Sequence, residues 1–423
     1  MDVRYERCAG TELTTVDGKR VTDFLSGYCV HNTGHNHPAI IAALKDELDR
    51  CGPAMLQSHV PEAAGELAAR LCERAGGGLN KVFFCSSGSE GVESAIKFAR
   101  AKTGRTGLLY NDGAFHGLTC GALSLMGDPF WRGSFGPMLE GTVQVAFGDA
   151  QALEKQLATT RFAAFFMEPI QSEAGIRVPT PEYMKAAQEL CQRYGTLFVL
   201  DEVQTGMYRT GPFLAAHTFD VKPDIVVLAK ALSGGLMPVG AVLMTDAIYE
   251  AVFDSLRNSI IHASTFSENG LSMRAGLATM DVLESEKLGE RSVVAGEKLR
   301  TGLRTALAGY EMVSEIRGAG LLSGIAFVPP RRVTLRVPFE AFRAIHPGMF
   351  GQVMVMRLYR DCGFLTQMCG NNFMVLKAAP PLVVREEEIE RFVEAVRNVV
   401  EEAHTTASFW TEALGMAKRV VNL

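Results

Sequence analysis

Short, wholly apolar runs alternate with helical patterns through the middle of the chain. KVFFC at 81–85 precedes SEGVESAIKFARAKTG, and RFAAFFME at 161–168 precedes the stretch around PEYMKAAQELCQRYG. TLFVLDE at 196–202 and PDIVVLAK at 223–230 are two more such runs. A strand apolar on both faces must be covered on both, and helices spaced between such strands supply the cover of a parallel sheet. The pattern therefore predicts an α/β, doubly wound, mostly parallel sheet in a large domain spanning 40–284. Beyond residue 284 the period changes. VVAGEKLRTGLRTALAGY reads as helix, EMVSEIRGAGLLSGIAF and NNFMVLKAAPPLVV alternate as half-buried strands do, and REEEIERFVEAVRNVVEEAH is amphipathic, with acids at its positive end. Together with the N-terminal strands around TELTTVDGKRVTDFL, segments 1–39 and 285–423 predict a smaller α+β domain.

Composition narrows the class. The 423 residues exceed what one core usually serves, and 47% hydrophobic with 21% charged residues is ordinary for a soluble α/β enzyme. A net charge of -5 without basic runs argues against a nucleic-acid partner. Nine cysteines with no CxxC pair resemble neither a disulfide framework nor a zinc site, which points to a reducing cytoplasm. The opening MDVRYERCAG lacks the apolar stretch of a signal peptide, and acids interrupt FAAFFMEP and LFVLDEV too soon for membrane insertion.

In parallel α/β sheets ligands bind beyond the carboxyl ends of the strands, so the residues that follow each run carry the chemistry. KVFFC is followed by Ser86-Ser87-Gly88-Ser89-Glu90, AAFFM by Glu168, LFVL by Asp201-Glu202 and IVVLA by Lys230. Ser87 and Glu90 have the spacing of a capping box, and Gly88 lets backbone approach a ligand, so this helix start suits a phosphate. Taken alone, the turn is equally well a capped helix, and Lys230 a snorkelling side chain at a strand end. Together they suggest more. An ammonium behind an apolar strand loses solvation, its pKa falls, and the neutral amine becomes available for covalent catalysis. Asp201, facing a pyridine nitrogen, would keep that nitrogen protonated.

Seven segments in order, DFLSGYCVHNTGHNHP, SSGSEGVESAIKFAR, GAFHGLTCGALSL, EPIQSEAG, VLDEVQTGMYRTG, PDIVVLAKALSGG and HASTFSENGL, make the chain resemble the class III aminotransferases. These are fold type I, pyridoxal 5'-phosphate enzymes that include ornithine, acetylornithine and 4-aminobutyrate aminotransferases. The resemblance implies that Gly88 and Ser89 hold the cofactor phosphate, that Phe115 stacks on the ring with His116 beside it, and that Glu168 belongs to the same cofactor pocket. It implies further that Asp201 meets the pyridine nitrogen, Val203 packs on the opposite ring face, Gln204 reaches the phenolic oxygen and Lys230 forms the Schiff base. Thr265 matches the threonine that crosses a homodimer interface to the neighbouring phosphate, which implies shared active sites. Ping-pong transfer between an amine donor and a carbonyl acceptor follows.

The substrate positions depart from the family. Where ω-amino-acid enzymes commonly carry arginine after FHG, this chain has Leu118; where they carry arginine before PP, LKAAPPL has Lys377. Lysine offers a point charge in place of a bidentate fork. Glu173 matches the acid that pairs with that arginine, and Tyr28 matches a residue that shapes the ω-substrate pocket. An apolar far end at Leu118 leaves a substrate carboxylate without its partner. The expected acceptor is thus a terminal aldehyde or ketone on a larger, carboxylate-poor molecule of specialised biosynthesis, with an α-amino acid donor held by Lys377. The alternatives are an ornithine, acetylornithine or 4-aminobutyrate type enzyme using 2-oxoglutarate, and an aminomutase on the same fold. A binding protein would need no such set of groups, and a nicotinamide dehydrogenase lacks its GxGxxG. His31, His35 and His37 lie in HNTGHNHP without accompanying carboxylates, so no metal is expected. Phe130 and Trp131, in GDPFWRGSFGP, are expected to be buried packing residues, with shaping of the substrate entrance as the alternative.

Overall fold

The computed structural model describes residues 3–55, 60–159, 161–405 and 409–410. Its central sheet has seven strands in the order Lys81–Cys85, Gly240–Met244, Ile225–Leu228, Leu197–Asp201, Phe162–Met167, Gly107–Asn111 and Thr142–Val145. Every residue of Phe162–Met167 and of Ile225–Leu228 is buried, as strands covered on both faces require. The four apolar runs are thus strands, as the pattern predicts, and the sheet holds further strands the pattern does not single out. Gly240–Met244 runs antiparallel to both neighbours, Ile225–Leu228 and Lys81–Cys85. Its five residues are all buried too.

Two four-stranded sheets flank this core. Tyr5–Ala9, Glu12–Thr15, Arg20–Asp23 and Phe364–Leu365 form one, joining the two ends of the chain through a parallel pairing of Phe364 with Thr22. Val313–Ala319, Leu322–Phe327, Asn372–Ala378 and Gln367–Cys369 form the other, in the order that makes Asn372–Ala378 an inner strand. The amphipathic helix Glu386–Thr405 buries Ile389, Phe392, Val396 and Val399, with Phe392 stacked on Phe24 at 4.0 Å. Among the described residues no helix is long and apolar enough to cross a membrane.

One side chain ties these parts together. Arg209 is wholly buried, yet donates to neutral oxygens: the carbonyls of Leu321 and Pro380, the Ser26 hydroxyl and the Asn32 amide oxygen. A buried cation satisfied by neutral oxygens persists only where geometry supplies nearly every acceptor.

Candidate active site

A cavity of ≈ 450 Å³ lies at the carboxyl ends of the parallel strands. The chain delivers its lining in pieces. Ser86–Ser89 follow the strand Lys81–Cys85, Glu168 follows Phe162–Met167, Asp201 ends its own strand, and Lys230 opens the turn just past Ile225–Leu228. Phe115, His116, Val203 and Gln204 complete the wall. All nine residues expected around the cofactor in a single chain therefore meet in one cavity: Gly88, Ser89, Phe115, His116, Glu168, Asp201, Val203, Gln204 and Lys230.

The helix Gly88–Thr103 starts on this cavity. Ser87 caps it, its hydroxyl accepting from the Glu90 amide at 3.2 Å. Glu90 reaches back to the Ser86 amide at 2.6 Å, one position earlier than a regular capping box. The caps take the Glu90 and Ser86 amides and leave those of Gly88 and Ser89, both in the cavity wall, as a ready anion site. Backbone closeness there depends on two glycines. A Cβ at Gly88 would lie 3.0 Å from Val203, and one at Gly117, where φ is +118°, would lie 2.1 Å from the Ser89 hydroxyl.

Asp201 is held on both oxygens. Oδ1 accepts from the Val203 amide at 3.0 Å, and Oδ2 meets His116 Nδ1 at 2.9 Å. His116 Nε2 is buried and has no partner among the described residues. Glu168 accepts from the amides of Phe115 and Ser172, so it fixes the loop that carries Phe115. Burial raises the Glu168 pKa to about 7, against the opposing pull of His116. Lys230 adopts a left-handed backbone conformation, φ 44°, and its half-buried side chain lines the cavity. Burial is the main effect on that amine and lowers its pKa, although Asp201 works in the other direction.

Beside the cavity stands a second charged group. Lys377 is wholly buried and paired with Glu173 Oε1, which also accepts from Gln204 Nε2 at 3.1 Å; Glu173 Oε2 accepts from the Gly370 amide at 2.9 Å. Tyr28 covers the lysine, the ammonium lying 5.5 Å from its ring centre. Tyr28 reaches that place through an unusual turn, Ser26, Gly27, Tyr28 and Cys29 all having positive φ, at 46°, 60°, 63° and 69°. Left-handed backbone at three residues with a Cβ stores strain, a feature that concentrates at ligand sites.

Two expected residues lie apart from the cavity. Leu118 does not line it: Gly117 does, and Leu118 turns out to the surface with 53% exposure while its amide donates to Ser89. The positive φ of Gly117 reverses the chain there, so the apolar far end anticipated from Leu118 is not built by its side chain within one chain. Thr265 is exposed on the loop before the helix Gly270–Ser285, next to Ser264, whose hydroxyl donates to Glu90 at 2.8 Å. Phe130 is not packed inside, being 74% exposed, and Trp131 stands between it and Phe115. Sequence reasoning missed the contacts of Ser172 with Gln204 and of Asn371 with Trp131, since partners 32 and 240 positions apart leave no local pattern.

Comparison with known proteins agrees with this geometry. The Aminotransferase class-III profile matches residues 1–400. Aminotransferase PigE of a Serratia species is 35% identical over 95% of this chain, which spans about half (51%) of that longer protein. Putrescine aminotransferase of Pectobacterium atrosepticum is 35% identical, with 96% of this chain and 83% of that protein aligned. Among solved structures, ornithine aminotransferase of Toxoplasma gondii superposes with a TM-score of 0.84 at 30% identity, covering 96% of this chain and 91% of its own. An amine transaminase of an uncultivated Pseudomonas species, solved with pyridoxal phosphate bound, gives 0.84 at 29% identity, covering 94% of each chain.

Proposed function

The chain belongs to the class III aminotransferases, which are pyridoxal-phosphate enzymes, and from that premise we propose which residues transfer the amino group and what kind of molecule receives it. The cavity fits the cofactor. It offers a helix N-terminus for a phosphate, the side chains of Val203 and Phe115 to pack against a ring, the Asp201 carboxylate and the Lys230 amine. Pyridoxal phosphate supplies an electron sink that accepts an amino group from one substrate and passes it to another. In this reading the amides of Gly88 and Ser89 bind the phosphate, and Gln204 orients the ring from the side of Glu173. Asp201, positioned by His116, would hold the cofactor at its ring nitrogen and favour its role as an electron sink. Lys230 would hold the cofactor through its Nζ, and its neutral amine would be the group that moves a proton between substrate and cofactor. The lowered pKa makes that neutral form accessible.

The acceptor is a terminal aldehyde or ketone on a larger, carboxylate-poor molecule. One observation carries this reading: among the described residues lining the cavity there is no arginine, and the neighbouring cation, Lys377, is already held by Glu173. A second carboxylate would enter without a free partner, at a cost of several kcal/mol on the order of an unpaired buried charge. The donor is an α-amino acid whose carboxylate competes with Glu173 for Lys377. The enzyme works as a homodimer in which Thr265 of each chain reaches the other's phosphate. Exposed Leu256, Ile260 and Phe266 on the same loop support a face that a second chain covers. Nine free cysteines accord with a cytoplasmic setting.

A half-reaction screen tests the substrate reading. Purified holoenzyme is mixed with ornithine, acetylornithine, 4-aminobutyrate, diamines or long-chain amines, and bleaching of the cofactor absorbance is followed. Long-chain amines should react with the highest kcat/KM; efficient turnover of acetylornithine or 4-aminobutyrate would overturn the reading.

A further inference from the structure

We infer that Trp131, with Phe115 and Phe130, forms an aromatic wall that binds the apolar chain of the substrate and sets the enzyme's preference for chain length. This rests on the carboxylate-poor substrate proposed above and adds the residues that recognise it. Phe115 lines the cavity, and the indole of Trp131 meets it edge-on, ring centres 5.3 Å apart at 90°. Phe130 meets the other side of the indole at 5.3 Å and 78°. The three rings form a continuous apolar path from the cavity to the surface.

The path ends on Phe130 at 74% exposure. A phenylalanine this exposed gains nothing from the fold, whereas an apolar ligand laid across it would remove both surfaces from water.

The wall is held rigid, as a specificity element must be. Trp131 Nε1 donates to Asn371 Oδ1 at 2.5 Å, which fixes the rotation of the indole. Asn371 is itself anchored twice: its side chain donates to the Gly113 carbonyl and its amide to the Glu173 carbonyl, each at 2.9 Å. The short helix bearing both aromatics starts at Asp128, whose carboxylate accepts from the Phe130 amide at 2.9 Å. Gly370 brings the indole against the paired carboxylate, since a Cβ there would lie 3.4 Å from Trp131 Cζ2 and 3.0 Å from Glu173 Oε2. The wall therefore borders the Glu173–Lys377 pair on one side and the cavity on the other. A substrate chain leaving the cavity on this side passes over apolar rings.

The test is a ratio. Straight-chain primary amines from propylamine to decylamine are reacted with holoenzyme in the half-reaction. Full burial of one methylene corresponds to about fourfold in kcat/KM, so the wild-type series should climb with length. Trp131→Ala should lower the decylamine to propylamine ratio about tenfold, and Trp131→Phe should keep most of it. A merely structural role would lower every amine by one factor and leave the ratio unchanged, which overturns the wall. A second readout avoids turnover. The chain has two tryptophans, Trp131 and the buried Trp410, so unreactive 1-decanol should shift the emission of wild-type holoenzyme and not that of Trp131→Phe. Absence of a shift in wild type also overturns the proposal. If acetylornithine or 4-aminobutyrate outpaces every alkylamine, the substrate reading itself fails; a rising wild-type series untouched by Trp131→Ala sinks the wall alone.

Discussion

Replacing Lys377 by methionine removes one half of a buried ion pair and keeps the volume. The lysine is wholly buried, so what remains is a Glu173 carboxylate that has lost its cation but keeps the Gln204 amide at 3.1 Å and the Gly370 amide at 2.9 Å. Breaking a buried pair usually costs about 3–5 kcal/mol, and the two surviving donors place Lys377→Met near 3 kcal/mol, about two orders of magnitude in the folding constant. The sign holds at neutral pH. Burial raises the Glu173 pKa, but Lys377 and the hydrogen bonds more than offset it, and the net pKa lies below its ordinary 4.5. That contribution is present above 4.5 and lost as pH falls through the folded value. Burial lowers the Lys377 pKa, but Glu173 more than offsets it, and the net value lies above 10.5. Its contribution is present below 10.5 and lost as pH rises through the folded value. Urea denaturation at pH 7 therefore reads the full effect, and the gap between wild type and Lys377→Met should narrow as pH falls below about 4.5. Combining Lys377→Met with Glu173→Gln should cost less than the sum of the single changes by at least about 1 kcal/mol. A single-variant loss under about 1 kcal/mol, or strict additivity in the double variant, would refute this account of the pair.

Lys230→Ala should cut turnover more than about 10³-fold while the chain stays folded, and Asp201→Asn should cut it less; steady-state rates with circular dichroism check both. Gly117→Ala puts a Cβ 2.1 Å from the Ser89 hydroxyl, so cofactor affinity should fall about tenfold, measured by equilibrium dialysis, from the strain typical of a forced backbone shift. Mixing Lys230→Ala chains with Thr265→Ala chains should give activity that departs from the average of the two parents, because a mixed dimer contains one site carrying both defects and one carrying neither. Activity equal to that average would show that the sites are independent.

The sheet and most of the site were readable because both arise from local signals. A strand covered on both faces has to be apolar throughout, and a charged residue placed at its carboxyl end has few purposes; Asp201, Glu168 and Lys230 were legible for that reason. The direction of Gly240–Met244 was not, since burial on both faces looks the same in either direction. Leu118 shows a different limit. Which residue faces the cavity there depends on the φ of Gly117, and sequence does not report that angle. The anchoring of Trp131 by Asn371 depends on loops brought together by the whole fold. No periodicity in either segment anticipates it.

Arg209 bears on how far the chain can be trimmed. Two of its four acceptors, Ser26 Oγ and Asn32 Oδ1, come from the first part of the sequence. A fragment starting at Asn36 would retain Lys230, Asp201 and the phosphate turn, and by a simple inventory of catalytic residues it would count as a complete enzyme. Its guanidinium would nevertheless be left in the interior with two unanswered N–H donors, each missing bond to a charged group costing about 1.5–3 kcal/mol. The smallest active unit is thus set by the solvation of one interior cation and not by the outline of the catalytic cavity. Fusions and library designs that treat the segment carrying Ser26 and Asn32 as dispensable decoration will leave Arg209 without half of its acceptors.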